Sequence, residues 1–172
     1  MLRLVGAALL LTGTAGFSCC LCNERKRKLF YIKEIQHMFR LFQTEISYLG
    51  VPMPEVLMRI SGRLAPVLGE GLRRIAGAME PERGESLDAV WSREMGRCLH
   101  EASLGGEIGE LVLGFPECVG VFEREGQAKA FERYIRETER WIVQMEKEEK
   151  SRNKVIMSLG IAAGIFLIVI LL

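Results

Sequence analysis

Side chains that commonly perform catalysis are scarce in this sequence. Histidine occurs only at His37 and His100, and glutamate supplies 21 of the 22 acidic residues, which leaves Asp88 as the single aspartate. His37 lies off the apolar side of its predicted helix and His100 lies near a predicted helix end, so neither has the sequence context of a general base. The sequence contains no phosphate-binding loop, no H-E-x-x-H and no G-x-S-x-G pattern. It therefore predicts a protein that is not an enzyme, with no catalytic residue, no cofactor and no small-molecule substrate.

Five cysteines are the remaining reactive side chains. Cys19, Cys20 and Cys22 form a cluster, whereas Cys98 and Cys118 stand apart. Neither histidine lies near the cluster, so we predict no metal site. The odd number of cysteines and their scattered spacing argue against a disulfide framework and favour reduced thiols. The cluster has two interpretations, S-acylation beside a membrane or small apolar residues at an interface, and the second is favoured.

The composition indicates a folded chain without a strongly charged surface. Of the 172 residues, 49% are hydrophobic and 26% are charged, and the formal net charge is +1. This balance is typical of globular proteins, and the bulk charge does not favour nucleic acid as a partner. Glutamate forms helices well, so the acidic composition favours a helical fold. The length allows one modest domain plus membrane anchors.

Both ends of the chain are apolar enough to predict membrane spans. Residues 155–172 carry no charge, and as a helix this stretch would extend about 27 Å, close to the thickness of a bilayer's hydrocarbon core. Residues 2–21 are also nearly uncharged, with Arg3 at their edge. We therefore predict transmembrane helices at residues 1–22 and 153–172, on either side of a cytoplasmic helical domain at 23–152.

Basic residues beside both apolar ends predict the orientation in the cell membrane. Such residues stay on the cytoplasmic side, and both groups belong to the same central segment, so the domain should be cytoplasmic and both termini outside. They can also bind anionic lipid headgroups. The residues that set this topology are Arg25, Lys26, Arg27, Lys28, Lys150, Arg152 and Lys154.

Two alternatives stay open for the first apolar segment. It could be a cleaved signal peptide, or a lipoprotein signal with Cys19 as the acylated residue. Either would export a segment that begins with four consecutive basic residues, at 25–28, which is why a retained helix is favoured. In these alternatives the protein is an exported lipoprotein, or a signal-anchored helical binding protein, without a cytoplasmic partner.

Small residues in both predicted spans suggest that the spans pack against each other. Gly160 and Gly164 have G-x-x-x-G spacing, and Ala8, Thr12 and Gly16 are also four residues apart. Small side chains on one face allow helix backbones to approach closely in lipid. The alternative is that glycine is simply common in membrane helices.

The central segment shows helical periodicity with breaks at glycine and proline. Apolar residues between Ile32 and Leu49 alternate spacings of three and four, and Gly50 is the expected C-cap. A second helix is predicted to start at Pro54 and to include Leu64, and a third to follow Pro66.

Three further helices are predicted in the second half of the domain. Ser86 is the expected N-cap of a fourth helix, a fifth follows Gly105 and Gly106, and Pro116 should end or kink it. From about Glu123 onward nothing interrupts the pattern, so one helix of about 50 residues, or about 70 Å, could run into the last span. No strand or hairpin signal occurs. The predicted fold is an all-α antiparallel bundle flanked by N- and C-terminal transmembrane helices.

Several stretches resemble the stage III sporulation protein AB family of endospore-forming bacteria. The resemblance covers nearly the whole chain, and its specificity comes from the order of the stretches and the apolar segments at both ends. The matching positions are 1–6, 44–48, 52–57, 84–87, Trp91, Gln127 and 158–160. The chain departs from the family pattern at 119–123, where the expected serine cap is missing.

This resemblance implies a role that periodicity alone does not give. It implies a component of the channel complex between mother cell and forespore, with a domain similar to that of the platform proteins of type II secretion. The implied partners are a secretion-type ATPase of the same operon and the other membrane proteins of the complex, and the domain should lie on the mother-cell side. A homo-oligomer stays open.

Overall fold

The chain folds entirely into helices over the residues that the structure describes. The computed structural model describes the backbone at 2–47, 51–79, 85–120 and 124–171, and the side chains at 23–45, 51–79, 85–118, 126 and 128–151. No strand occurs in these ranges, which confirms the all-α prediction. The helices are α1 (Leu2–Ser47), α2 (Met53–Ser61), α3 (Pro66–Ala78), α4 (Leu87–Glu101), α5 (Glu107–Leu113), α6 (Pro116–Gly120) and α7 (Arg124–Leu171).

Helices α1 and α7 pack side by side and run in opposite directions. The ring of Phe39 lies 5.0 Å from that of Tyr134, and contacts nearer the start of α1 involve residues nearer the end of α7. This order of partners shows the antiparallel direction. The other cross-links are Gln36 with Glu139, Arg40 with Glu139 (3.7 Å), Lys33 with Glu146 (2.6 Å) and Arg25 with Glu148 (3.9 Å).

One aromatic side chain joins the α1–α7 pair to the rest of the bundle. Phe115 lies in the two-residue turn between α5 and α6 and is almost completely buried. Its ring centroid is 4.7 to 5.8 Å from five others, a range in which aromatic rings attract one another. These rings belong to Phe39, Phe42, Trp91, Phe131 and Tyr134. The Trp91 indole N–H also donates to the Val112 carbonyl at 2.8 Å, which satisfies the one polar atom of that side chain.

Helices α2, α3 and α4 pack in sequence and are attached to α1 through carboxylates. The Ala65 N–H, at the start of α3, donates to Glu34 of α1 at 2.7 Å. Glu45 of α1 lies 3.7 Å from Arg59 of α2. Because the amide before a helix has no intrahelical partner, the Glu34 carboxylate both caps α3 and fixes the α2–α3 turn against α1.

Most helix positions agree with the periodicity, with differences at the breaks. The prediction that Leu64 belongs to the second helix is wrong, because α2 ends at Ser61 and Gly62 caps it, which leaves Leu64 half-buried in the turn. Helix α2 starts one residue earlier than predicted, at Met53. Pro116 does not kink a helix but begins α6, since proline needs no hydrogen-bonded N–H at a first helical position. The expected cap at Gly50 lies outside the described residues.

The predictions for the last helix and for the N-cap Ser86 are confirmed. Helix α7 is unbroken over 48 residues, and the Ser86 hydroxyl accepts a hydrogen bond from the Ala89 N–H at 3.3 Å. The side chains of the predicted spans, 1–22 and 153–172, lie outside the described ranges. Where side chains are described, the structure contains no helix that is both long and apolar enough to cross a bilayer.

A comparison of two glycines in α3 tests the tight α2–α3 packing. A Cβ at Gly69 would lie 2.5 Å from the Ser61 carbonyl oxygen, whereas one at Gly77 would meet nothing within 4 Å. We expect Gly69→Ala to destabilise the protein by about 1–3 kcal/mol because the backbone must shift. Gly77→Ala, the control, should be neutral or stabilise by up to about 1 kcal/mol. Thermal unfolding of the full chain in detergent, followed by circular dichroism, measures both; equal effects would contradict the packing.

Candidate interaction surfaces

A buried carboxylate on α4 binds three arginine side chains. The Glu94 side chain is only 6% exposed, and Glu94 is the one charged residue buried within the described part of the chain. It accepts hydrogen bonds from Nε of Arg74 at 2.8 Å, Nε of Arg93 at 3.1 Å and Nη1 of Arg97 at 3.1 Å. We call Arg74, Arg93 and Arg97 around Glu94 the arginine cluster. It joins α3 to α4.

Two further carboxylates lie at the edges of the arginine cluster. Arg93 Nη1 donates to Glu85 at 2.7 Å, and Arg74 Nη1 lies 4.0 Å from Glu70. The Cys98 thiol lies beneath the cluster, with its Sγ 3.9 Å from Arg74 Nη2, and donates to the Val67 carbonyl. Thus the carboxylate is enclosed, while the three guanidinium groups remain partly exposed to solvent.

The charges of the cluster shift the ionisation of its members. Burial raises the pKa of Glu94, but the hydrogen bonds from Arg74 and Arg93 and the charge of Arg97 lower it more, so the net pKa is below the ordinary value. The hydrogen bond to Glu94 raises the pKa of Arg74. At neutral pH three cations therefore surround the ionised Glu94, and Glu70 and Glu85 at the edges balance the remaining two positive charges.

Sequence reasoning missed Glu94, although the pattern contains a signal for it. Glu94 is three residues after Trp91 and four before Cys98, and both of these are buried. A charged residue on the apolar side of an amphipathic helix is costly unless it is paired. Adjacent arginines at 93 and 97 could have supplied a partner, whereas Arg74 comes from another helix and no local pattern identifies it.

Basic residues predicted to set the topology lie at one end of the α1–α7 pair. Arg27 Nη2 donates to the Ser103 hydroxyl at 2.8 Å, in the turn between α4 and α5, and Arg25 pairs with Glu148. Lys26 and Lys150 are exposed, and Lys28 is half-exposed. We call this end of the domain the basic end. The side chains of Arg152 and Lys154 lie outside the described ranges, as do those of the packing residues Ala8, Thr12, Gly16, Gly160 and Gly164.

A cavity of about 540 Å³ lies between α6 and α7. Tyr134 forms part of its wall, and the Tyr134 hydroxyl donates to the Gly114 carbonyl at 2.9 Å. Burial raises the pKa of Tyr134, and the Cys118 thiol, 3.5 Å away, adds to this. Both polar groups therefore already have hydrogen-bond partners within the protein.

The other reactive side chains identified in the sequence are dispersed. His37 and His100 are both exposed, on α1 and α4, and Cys98 and Cys118 are both buried. The described residues contain no group of three or more side chains that could hold a metal ion. The prominent surfaces of the domain are instead the arginine cluster and the basic end.

The fold is an all-helical bundle whose first and last helices both leave at one end, with these charged surfaces on its domain. Residues 3–172 match the sequence model of the family described as stage III sporulation protein AB (spore_III_AB). The chain therefore belongs to the stage III sporulation protein AB family, which confirms the resemblance seen in the sequence.

Two known proteins illustrate the similarity. Stage III sporulation protein AB of Bacillus subtilis (strain 168) is 25% identical over 175 residues, covering all of both chains. A solved structure of a stage III sporulation protein AB superposes with a TM-score of 0.65, at 17% identity, over 73% of this chain and 98% of that one. This second similarity shows that the two share a fold.

The pH dependence of stability in a Glu94 variant tests the arginine cluster. The pKa of Glu94 is lower in the folded chain than in the unfolded chain, where it is about 4.3. The stability that ionised Glu94 contributes is therefore fully present above about pH 4.3 and is lost as the pH falls through the folded-state pKa. We expect Glu94→Gln to cost about 2 kcal/mol at pH 7, and less as the pH falls towards 3. Unfolding temperatures from pH 7 to 3 measure this.

The matched control is Glu85→Gln, which removes a more exposed partner of Arg93. It should cost under about 1 kcal/mol at neutral pH, because exposed ion pairs contribute little. A difference between wild type and Glu94→Gln that does not shrink on acidification would show that the charge of Glu94 is unimportant.

Proposed function

We propose that this protein is a two-pass membrane platform in the sporulation channel complex between mother cell and forespore. It couples a cytoplasmic secretion-type ATPase to the other membrane proteins of that complex and has no catalytic activity of its own. The observation that supports this most is the antiparallel α1–α7 pair, in which each helix is continuous from the domain into an apolar segment.

The direction of the pair supports insertion of both ends into one membrane. The Arg25–Glu148 contact brings the domain ends of both apolar segments together. Beyond it, each helix continues for roughly 35 Å at 1.5 Å per residue, which exceeds the hydrocarbon thickness of a bilayer. On this proposal residues 1–22 and 153–172 are the spans, 23–152 is the cytoplasmic domain on the mother-cell side, and the basic end contacts anionic lipid.

Contacts along the pair support a coupling role. The buried Gln36 side chain donates to Glu139 and to the Ile135 carbonyl, and Lys33 pairs with Glu146. A polar group inside an apolar interface fixes the register of two helices, because any other register leaves it unpaired. The two helices should therefore move as one body, so that a force on the bundle reaches both spans.

The same register supports contact between the spans. When residues are counted outward from the Arg25–Glu148 contact along both helices, residue 12 comes to about the same height as residue 161. Thr12 and Ala8 of the first span would thus lie at about the height of Gly160 and Gly164 of the last. We propose that these small residues, together with Gly16, allow close packing of the two spans.

Sidedness is tested with a cysteine placed on the domain surface. Cys98 and Cys118 are too buried to report it, whereas Gly62 is exposed with open space at its Cβ position. In a chain with Cys19, Cys20 and Cys22 changed to serine, we expect Gly62→Cys to react with a membrane-impermeant maleimide only after the cells are permeabilised. The same chain with Gly62 retained is the control. Labelling in intact cells would contradict the cytoplasmic assignment and favour an exported protein.

Rigid coupling is tested with a proline between domain and membrane. Ser151 lies on the exposed surface of α7, and a proline inside a helix costs about 3 kcal/mol and kinks or breaks it. We expect Ser151→Pro to co-purify with the ATPase like the wild type but to lower the yield of heat-resistant spores at least about tenfold. Ser151→Ala should change neither result. Wild-type spore yields for Ser151→Pro would contradict coupling, and failure of the wild-type chain to co-purify with the ATPase would contradict the partner.

A further inference from the structure

We propose that Arg27 and Ser103 form a latch between the basic end and the α4–α5 turn, and that phosphate groups of anionic lipid open it by taking the Arg27 guanidinium from the Ser103 hydroxyl. The latch rests on the proposed function in one respect, which is that the basic end lies at a membrane surface. The geometry of the latch itself does not depend on that function.

Ser103 has a backbone conformation that usually belongs to glycine. Its φ is 57°, the one positive φ of a non-glycine residue in the described part of the chain. The Ser103 N–H donates to the His100 carbonyl at 3.0 Å. The Leu104 N–H donates to the Leu99 carbonyl at 2.8 Å. This pair of hydrogen bonds ends α4 in a Schellman motif, where glycine is preferred because other residues are strained at positive φ.

A side chain from another helix compensates for this strain. Arg27 Nη2 donates to the Ser103 hydroxyl at 2.8 Å, across 76 positions of sequence. Glycine at position 103 would relieve the backbone but could not accept this hydrogen bond. The closed turn thus combines one favourable contact with one unfavourable backbone conformation, so the free-energy difference between closed and open turns is small. Such a turn responds to a ligand that competes for Arg27.

The residues after Ser103 allow the turn to open. A Cβ at Gly105 or Gly106 would meet nothing within 4 Å, and Gly106 has a φ of 65°. Because glycine has wide backbone freedom and neither of these residues is closely packed, the turn can change without disturbing the core. Opening releases the two hydrogen bonds that end α4, while the buried Leu104 keeps its side chain in the core.

Arg27 lies within reach of a lipid phosphate. It is two residues from Arg25, whose contact with Glu148 marks the level at which both apolar segments leave the domain. The predicted end of the first span, at residue 22, is about 8 Å away along α1, and a long arginine side chain can extend towards headgroups over such a distance.

The chemistry of the two acceptors favours phosphate over the serine hydroxyl. Arginine binds a phosphate through two charge-assisted hydrogen bonds, whereas the Ser103 hydroxyl is a single neutral acceptor. Anionic lipid is attracted to a basic surface. The phosphate of a zwitterionic lipid is instead balanced by the cation of its own headgroup, so that lipid is the weaker competitor. Anionic lipid should therefore open the latch.

Hydrogen exchange at the Leu104 amide tests the latch, because this N–H is bonded only in the closed turn. The full chain is placed in nanodiscs of phosphatidylcholine, with or without phosphatidylglycerol, and exchange is followed residue by residue by mass spectrometry. We expect exchange, corrected for the intrinsic rate, to be at least about threefold faster with phosphatidylglycerol. Arg27→Gln should exchange fast in both lipids.

The matched control is Lys26→Gln, which removes a neighbouring charge of the same basic run. Lys26 is exposed and has no hydrogen bond or ion pair within the described residues. Its variant should keep the wild-type response to lipid, because the latch is intact.

Two changes at Ser103 separate the hydrogen bond from the backbone strain. Ser103→Ala keeps the strain and loses the acceptor, so the Leu104 amide should exchange fast in both lipids. Ser103→Gly loses both and should exchange slowly in both, since glycine needs no latch at positive φ. Equal exchange in these two variants would overturn the strained latch.

The remaining outcomes separate the latch from the platform role. Wild-type exchange that does not depend on lipid, or a full lipid response in Arg27→Gln, would overturn the latch and leave the platform role intact. Equal acceleration by inorganic phosphate in an uncharged detergent would overturn lipid as the ligand. If the wild-type chain does not enter nanodiscs, the two-pass platform and this inference are both wrong.

Discussion

The antiparallel packing of α1 on α7 is the contact on which the rest of the structure depends. It brings together residues more than a hundred positions apart, such as Lys33 and Glu146, and it places both apolar segments at the same end of the bundle. Apolar burial supplies most of its stability, through Phe39, Tyr134 and their neighbours. The hydrogen bond from Gln36 to Glu139 and the ion pairs contribute less to the free energy, but they define the register of α1 on α7. A domain built this way has its two connections to the apolar segments fixed relative to each other.

Phe115 extends that constraint to the remaining helices. Its ring touches aromatic side chains from α1, α4 and α7, although it belongs to a two-residue turn. Helix α4 is thereby held against the α1–α7 pair, and the arginine cluster is held on its outer side. The cluster's position relative to the basic end is thus a consequence of the core and does not depend on surface contacts. Two surfaces of different chemistry, one lateral and one near the predicted membrane, result from the same packing.

Periodicity predicted the helices well where apolar residues repeat without interruption. The stripe that begins at Ile32 and the long last helix are both present, because a continuous amphipathic pattern is satisfied by few other structures. The errors occurred at helix ends. Leu64 continues the apolar spacing of α2, yet the chain has already turned at Gly62 so that Glu34 can cap α3. Such a turn is decided by a partner from another helix, which local spacing does not contain.

By itself, the sequence determined the helical fold class, the two apolar ends, the basic residues beside them and the membership of the stage III sporulation protein AB family. These are properties of the order of residues along the chain. Only the tertiary structure decided that α1 and α7 pair in opposite directions and that Arg74 joins Arg93 and Arg97 around Glu94. The physical reason is that burial and charge pairing depend on distances between helices. Those distances are set when several apolar faces pack into one core, and no single helix encodes them.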